Sequence, residues 1–192
     1  MEIKKWKRVG LGAVTLLSTV VLAACGNSSS SSASSSDEIN WFIPTEISTL
    51  DISKVTDTYS SIAIGNSGSN LLRRDEDGEL QPDLAEKVEV SDDGLTYTAT
   101  LRDDLKWSDG SDLTAEDFVY SWQRIVAPAT ASEYAYLVSD AHVLNAEEVI
   151  AGTKSVDELG VKADGNKLIF TLSAPSPQFM SLLSFANFMP QS

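Results

Sequence analysis

Residues 95–101 limit the fold more than any other segment, because apolar residues at 95, 97, 99 and 101 alternate with threonines. This two-residue period is that of a β-strand with one buried face. An Asp-Asp-Gly turn signal at 92–94 precedes it, and residues 88–90 alternate on the other side of the turn. The pattern predicts an antiparallel hairpin, and residues 168–172 predict another strand.

A helix is predicted to begin after Thr114, since a hydroxyl suits the N-cap and the acids Glu116 and Asp117 suit the first turn. Helically spaced apolar residues follow until Pro128: Ala115, Phe118, Val119, Trp122, Ile125 and Val126. Weaker patterns predict helices over 60–72, 134–141 and 145–152, a strand at 39–43 and a charged turn at 74–79. Asn145 and Glu148 are predicted to form a capping box at the start of the third of these helices. Because strands and helices are interleaved, the fold class is α/β or α+β.

The N-terminus has the features of a lipoprotein signal peptide. Four cations (Lys4, Lys5, Lys7 and Arg8) precede an uncharged apolar run over 9–21, which is too short to span a bilayer. Leu22-Ala23-Ala24-Cys25 resembles a bacterial lipobox, which implies a signal peptide at 1–24 and a diacylglyceryl group on Cys25. Residues 25–36 are rich in serine and predict a flexible tether. The alternative is a buried N-terminal helix with a core cysteine.

Composition and residue counts exclude several functions. The formal net charge of −14 argues against nucleic acid as a partner, since binding it needs a basic surface. The only histidine, His142, has no nucleophile motif near it, and with Cys25 acylated the chain cannot assemble a zinc site. We therefore predict no enzyme activity, no metal and no cofactor.

The residues after Gln178 are mostly apolar and aromatic. No later element is present in the sequence to cover them, so we expect an exposed apolar surface here. Because a soluble monomer rarely exposes so much apolar surface, we expect the sequence to be the first part of a longer protein.

Three motifs carry a family resemblance: Ser-Asp-Asp-Gly-Leu-Thr-Tyr at 91–97, Lys-Trp-Ser-Asp-Gly at 106–110, and Thr-Ala-Glu-Asp-Phe-Val-Tyr-Ser-Trp-Gln-Arg at 114–124. With them the chain resembles oligopeptide-binding lipoproteins of the extracellular solute-binding family 5, the receptor components of peptide ABC transporters. Ala99 departs from the pattern, since the family usually carries a larger apolar residue there.

The resemblance implies an α/β, periplasmic-binding-protein-like fold (type II, cluster C) with two lobes, of which this chain is an incomplete part. Residues 37–77 would begin the first lobe, 78–175 would form a small extra domain, and 176–192 would re-enter the first lobe. A monomer is implied, anchored on the outer face of a Gram-positive-like cell membrane, that binds oligopeptides and delivers them to an ABC permease. The alternatives are a truncated, non-binding fragment, or a receptor for nickel, haem, a sugar oligomer or a peptide pheromone.

The resemblance also implies ligand contacts at Thr56, Asp57, Thr58 and Tyr134. The loop 55–59 resembles the segment whose backbone pairs with the bound peptide. Thr56 stands where relatives carry a carboxylate for the ligand amine, with Asp57 next to it, and Tyr134 matches an aromatic residue near the ligand. The structural alternatives are a turn or cap role for Asp57 and a place in a buried helical stripe for Tyr134. Trp107 and Trp122 are predicted to be core residues.

Overall fold

The computed structural model of the chain describes residues 42–192. The predicted signal peptide, the tether with Cys25 and most of the strand predicted at 39–43 lie outside the described residues. Residues 43–192 pack as one unit. Its core takes residues from each of the three predicted ranges, for example Leu71, Phe118 and Phe179. The boundaries between those ranges stay predictions.

The unit mixes short helices with antiparallel strands, as the sequence predicts. The elements are α1 (Thr58–Ser67), β1 (Leu72–Arg74), β2 (Leu80–Pro82), β3 (Ala85–Val90), β4 (Thr96–Leu101), α2 (Ala115–Val126), α3 (Tyr136–Asp140), α4 (Ala146–Ile150), β5 (Val161–Asp164), β6 (Lys167–Thr171) and α5 (Phe179–Leu182). Two 3₁₀ turns cover Val156–Glu158 and Ala186–Phe188. None of the helices from residue 42 onward has the length and hydropathy needed to cross a bilayer.

Four strands form an antiparallel sheet in the order β3-β4-β6-β5, and β1 and β2 form a separate hairpin. In the central strand Ala99 lies opposite Val88 on one side and Leu168 on the other. The predicted hairpin is therefore confirmed. Its turn contains Gly94 at a φ of 69°, a left-handed conformation that glycine adopts without strain.

The face of α2 that the sequence predicts to be buried is confirmed. Thr114 donates its N–H to Asp117 Oδ2 at 2.8 Å, which fixes the first turn of the helix. Trp122 is fully buried and packs its ring 4.4 Å from that of Phe188 and 4.8 Å from that of Phe170. The helix thus joins the sheet to the C-terminal segment. Trp107, in contrast, is only partly buried.

The expectation of an exposed C-terminal surface is wrong for all of its large apolar residues except Phe185 and the partly buried Met180. Phe179, Leu183 and Phe188 have no exposed surface, and Leu182 and Met189 are also buried. The reason is that α5 and the 3₁₀ turn after it fold back against α2, so the core that α2 shares with the sheet covers them as well.

The smaller helices differ in detail from the predictions. The helix predicted over 60–72 begins earlier and ends at Ser67, and the one predicted from residue 134 begins only at Tyr136. Asn145 has a φ of 64° and makes no side-chain cap bond, so the predicted capping box with Glu148 is wrong. Its side chain instead donates to the Glu158 carbonyl and accepts from Lys154.

Candidate functional site

A tight turn over residues 51–55 precedes α1 and sets the direction of the predicted ligand segment. The carbonyl of Asp51 accepts the N–H groups of Lys54 at 2.9 Å and Val55 at 3.0 Å. Val55 is fully buried and packs with Ile64 and Met189 in a small second core. Because Val55 points inward, the next residue of the extended chain, Thr56, lies at the surface.

Asn187 anchors this turn from the other end of the chain. Its buried side-chain amide donates to the carbonyls of Ile52 at 2.7 Å and Val55 at 3.0 Å. Asn187 thereby satisfies two carbonyls that have no other partner among residues 42–192. Sequence reasoning missed Asn187, because no local pattern links an asparagine to a turn 135 positions earlier.

Asp57 is the N-cap of α1, which confirms the cap alternative for this residue. Its Oδ1 accepts the N–H of Ser60 at 2.8 Å, and its Oδ2 accepts the hydroxyl of Ser48 at 2.5 Å. The hydroxyl of Ser48, followed by the N–H of Ser60, lowers the pKa of Asp57 from 3.8 to about 2. An ionised carboxylate has about four lone-pair sites, so acceptor capacity remains on this side chain.

The backbone of Thr56 has hydrogen-bonding groups without a partner among residues 42–192. Neither its N–H nor its C=O is paired with another group in residues 42–192, and both Thr56 and Thr58 are exposed. Chain with unpaired backbone groups at the surface is a template for an added strand.

Tyr134 lies just before α3 and is only half-buried, so its predicted alternative in a buried helical stripe is wrong. Its ring centroid lies 5.6 Å from that of Phe185 at an interplanar angle of 81° and 6.3 Å from that of Tyr136. Phe185 is 38% exposed and Tyr136 is 51% exposed. These three rings form an aromatic patch that is partly open to solvent.

Residues 185–187 contact one predicted site residue, Tyr134, and hold the turn that precedes the other three, Thr56, Asp57 and Thr58. Phe185 contacts Tyr134, while Asn187 holds the turn that precedes Thr56. Asn70 fixes this segment further by donating its side-chain N–H to the carbonyl of Phe185 at 2.8 Å. Sequence reasoning did not single out Phe185, which was predicted only as part of the apolar C-terminus.

Two further regions, the His142 turn and a cleft beside residues 51–55, lie outside these contacts. His142 is exposed with a φ of 60°, and no group of three His, Cys, Asp or Glu suited to a metal ion occurs in residues 42–192. A cleft of about 340 Å³ lies beside the turn, lined by Leu50, Asp51, Ile52, Tyr120, Arg124, Gln191 and Ser192. No local sequence pattern indicates this cleft, because its walls come from three distant segments.

Residues 79–192 match the family described as bacterial extracellular solute-binding proteins, family 5 (middle part). The chain belongs to this family. Family 5 is a family of solute-binding proteins, and the resemblance carried by the three motifs is confirmed.

Individual family 5 members agree with this assignment. The chain is 45% identical over 188 residues to a dipeptide-binding protein of Lactococcus lactis, and this alignment covers 97% of the chain and 33% of the relative. It is 36% identical to a probable deoxycholate-binding periplasmic protein of Escherichia coli, over 94% of the chain and 34% of the relative. The solved substrate-binding domain of an oligopeptide ABC transporter from Bacillus anthracis is 44% identical with a TM-score of 0.73, covering 77% of the chain and 28% of that structure.

These alignments confirm the predicted α/β, periplasmic-binding-protein-like fold, of which this chain represents an N-terminal portion. The chain spans about a third of the length of the two sequence relatives.

Proposed function

We propose that this chain is part of the extracellular binding component of an ABC importer, which binds short peptides and delivers them to a membrane permease. The observation that carries the proposal is the exposed backbone of Thr56, whose N–H and C=O are unpaired within residues 42–192. A peptide aligned with it gains main-chain hydrogen bonds regardless of its sequence. The names of the Lactococcus lactis and Bacillus anthracis proteins, which specify dipeptides and oligopeptides, support the same ligand class.

The side chains of the site have separate roles in this proposal. Asp57 stays ionised and attracts the ammonium group of the peptide, while Thr56 and Thr58 offer backbone and hydroxyl groups beside it. Tyr134 and its neighbour Phe185 offer an apolar surface to a ligand side chain. In this proposal the site residues only bind, and the ligand is released unchanged.

The location follows from the N-terminal sequence. Acylation of Cys25 would hold the protein on the outer face of the membrane, since two acyl chains anchor stably where one binds only marginally. The serine-rich tether would keep the binding domain clear of the lipid surface. Labelling of cells with palmitate tests this, with Cys25→Ala as the unlabelled control; a wild-type protein that stays unlabelled would remove the anchor.

Calorimetry with an equimolar mixture of di- to pentapeptides tests the ligand class. The full-length protein should bind the mixture, and an N-acetylated version of the same mixture should bind about 3- to 10-fold more weakly, because it lacks the ammonium group. Equal affinity for both mixtures would contradict the role of Asp57. Binding of deoxycholate without binding of peptides would contradict the proposed ligand. Peptide binding by the 192-residue chain itself would exclude the non-binding alternative.

Asp57→Asn removes the charge while keeping the shape, and Asp75→Asn is its matched control. Both aspartates are half-buried and accept hydrogen bonds from their own turn, and the pKa of each is lowered by a neighbouring side chain, Ser48 for Asp57 and Gln81 for Asp75. Only the Asp57 variant should weaken peptide binding. If the two variants bind peptides equally well, Asp57 makes no ligand contact.

A further inference from the structure

Arg124 on α2 reaches the turn in front of the proposed site. Its Nη1 donates to Asp51 Oδ1 at 2.5 Å and its Nη2 donates to Asp51 Oδ2 at 2.7 Å, which makes a bidentate ion pair. The Nη1 group also donates to Gln191 Oε1 at 2.8 Å. The Arg124 and Asp51 side chains are only 26% and 27% exposed, so solvent screens this pair less than a fully exposed one.

Asp51, which Arg124 holds in place, forms the hydrogen bonds that close the turn. Its Oδ1 accepts the N–H of Ser53 at 3.1 Å, and its own carbonyl closes the turn onto Lys54 and Val55. Gln191 adds a second link, donating to the hydroxyl of Ser53 at 2.9 Å. The guanidinium of Arg124 is thus linked to the five-residue turn at two points, directly at Asp51 and through Gln191 at Ser53.

Gln191 also ties the turn to α2 itself. Its side-chain amide donates to the hydroxyl of Ser121 at 3.0 Å, and Ser121 donates to the carbonyl of Met189 at 2.6 Å. The turn, the middle of α2 and the C-terminal segment are thus joined in one polar network. We call these four side chains the clamp: Asp51, Ser121, Arg124 and Gln191.

The position of the clamp gives it a function beyond packing. The turn ends one residue before Thr56, whose backbone is unpaired within residues 42–192, so the position of that backbone depends on how firmly the turn is held. Added-strand hydrogen bonds need donor and acceptor near 2.9 Å, and a segment that must first be ordered binds more weakly.

We infer that Arg124 is a positioning residue for ligand binding, which acts through Asp51 to fix the Thr56–Thr58 backbone in its binding geometry. The inference rests on the proposed function for its ligand, but its structural half is measurable without one. Arg124 touches no ligand in this scheme, and a lysine cannot replace its fork of two donors.

The test compares Arg124→Gln with Lys106→Gln in the full-length protein. Lys106 forms an exposed, single ion pair with Asp112, so the control removes the same charge and an ion pair that does not reach the turn. Arg124→Gln should weaken binding of the peptide mixture about 3- to 10-fold, while Lys106→Gln should stay within about 2-fold of the wild type. Arg124→Lys should fall between the two, and Asp51→Asn combined with Arg124→Gln should be no weaker than Arg124→Gln alone.

Hydrogen exchange of the ligand-free proteins supplies the second readout. In Arg124→Gln the amides of Ser53, Val55 and Ser60 should exchange at least about 10-fold faster, while that of Phe170 in β6 keeps its wild-type rate. Uniform acceleration at all four amides would show a merely structural role and overturn the inference. Wild-type exchange and wild-type affinity in Arg124→Gln would overturn it as well.

The two failures can be told apart. If the wild-type protein binds no peptide, the proposed function is refuted, and so is the role of Arg124 in ligand binding. The exchange rates of Ser53 and Val55 then still decide whether Arg124 holds the turn.

Discussion

Replacing Gly160 with alanine tests how closely three backbone segments approach one another beside β5. The Gly160 N–H donates to the carbonyl of Leu144 at 2.8 Å, and the Gly160 carbonyl accepts the N–H of Thr171 at 2.8 Å. A Cβ at this position would lie 2.5 Å from the Thr171 carbonyl oxygen and 2.7 Å from Leu144 Cβ. Carbon atoms in contact prefer separations of about 3.5–4.0 Å, so the backbone must move apart.

The size of the effect follows from these contacts. Forcing a methyl group into filled space costs about 1–3 kcal/mol, and weakening one of the hydrogen bonds of Gly160 adds about 0.5–1.5 kcal/mol. We therefore expect Gly160→Ala to lower the free energy of unfolding by about 1.5–4.5 kcal/mol. Gly65→Ala is the matched control, because Gly65 lies inside α1 with no atom within 4 Å of the added Cβ. It should raise the stability by up to about 1 kcal/mol.

Urea-induced unfolding, followed by tryptophan fluorescence and by circular dichroism, measures both variants. Opposite shifts of the midpoint at unchanged slope are expected. If Gly160→Ala is as stable as the wild type, the close approach of Leu144 and Thr171 is not a real constraint, and the reasoning fails.

Two further predictions concern Asp57 and the tryptophans. The pKa of Asp57 in the folded protein, about 2, lies below its ordinary value of 3.8, so its ionised form stabilises the fold above about pH 4 and this contribution is lost as the pH falls through about 2. A carboxyl-carbon NMR titration should give that value, and Ser48→Ala should move it back toward 3.8; an unchanged pKa in the variant would contradict the assigned cause. Trp122→Ala should cost about 3–5 kcal/mol of unfolding free energy because its ring is fully buried, while Trp107→Ala should cost clearly less. If urea unfolding shows that both variants lose the same unfolding free energy, burial of the ring does not determine the cost of its removal.

Elements with a strong local period were predictable from the sequence. β4 and α2 follow directly from the alternation at 95–101 and the apolar spacing at 115–126, because each segment buries one face whatever surrounds it. The N-cap role of Asp57 was predictable for the same reason, since its partner Ser60 is only three positions away.

The remaining features depend on contacts between distant positions. The burial of Phe179 and Phe188 needs α2 as a partner, and neither the sequence around them nor their spacing shows that partner. Asn145 illustrates the opposite error: its local pattern fits a cap, but Glu158 and Lys154 compete successfully for its side chain. The contacts of Asn187 and Arg124 with the turn were not predictable either, because each joins residues far apart in the sequence.

The hydrogen bond from Asn187 to the Ile52 carbonyl limits how early the turn over residues 51–55 can become rigid. A chain that leaves the ribosome N-terminus first displays Ile52 long before the amide 135 positions later has been synthesised. Closing so long a loop is slow. Until it closes, the carbonyls of Ile52 and Val55 lack their hydrogen bonds from Asn187. The surface around Thr56 is thus among the last to acquire its final shape, and a pause in synthesis before residue 187 would leave it pliable.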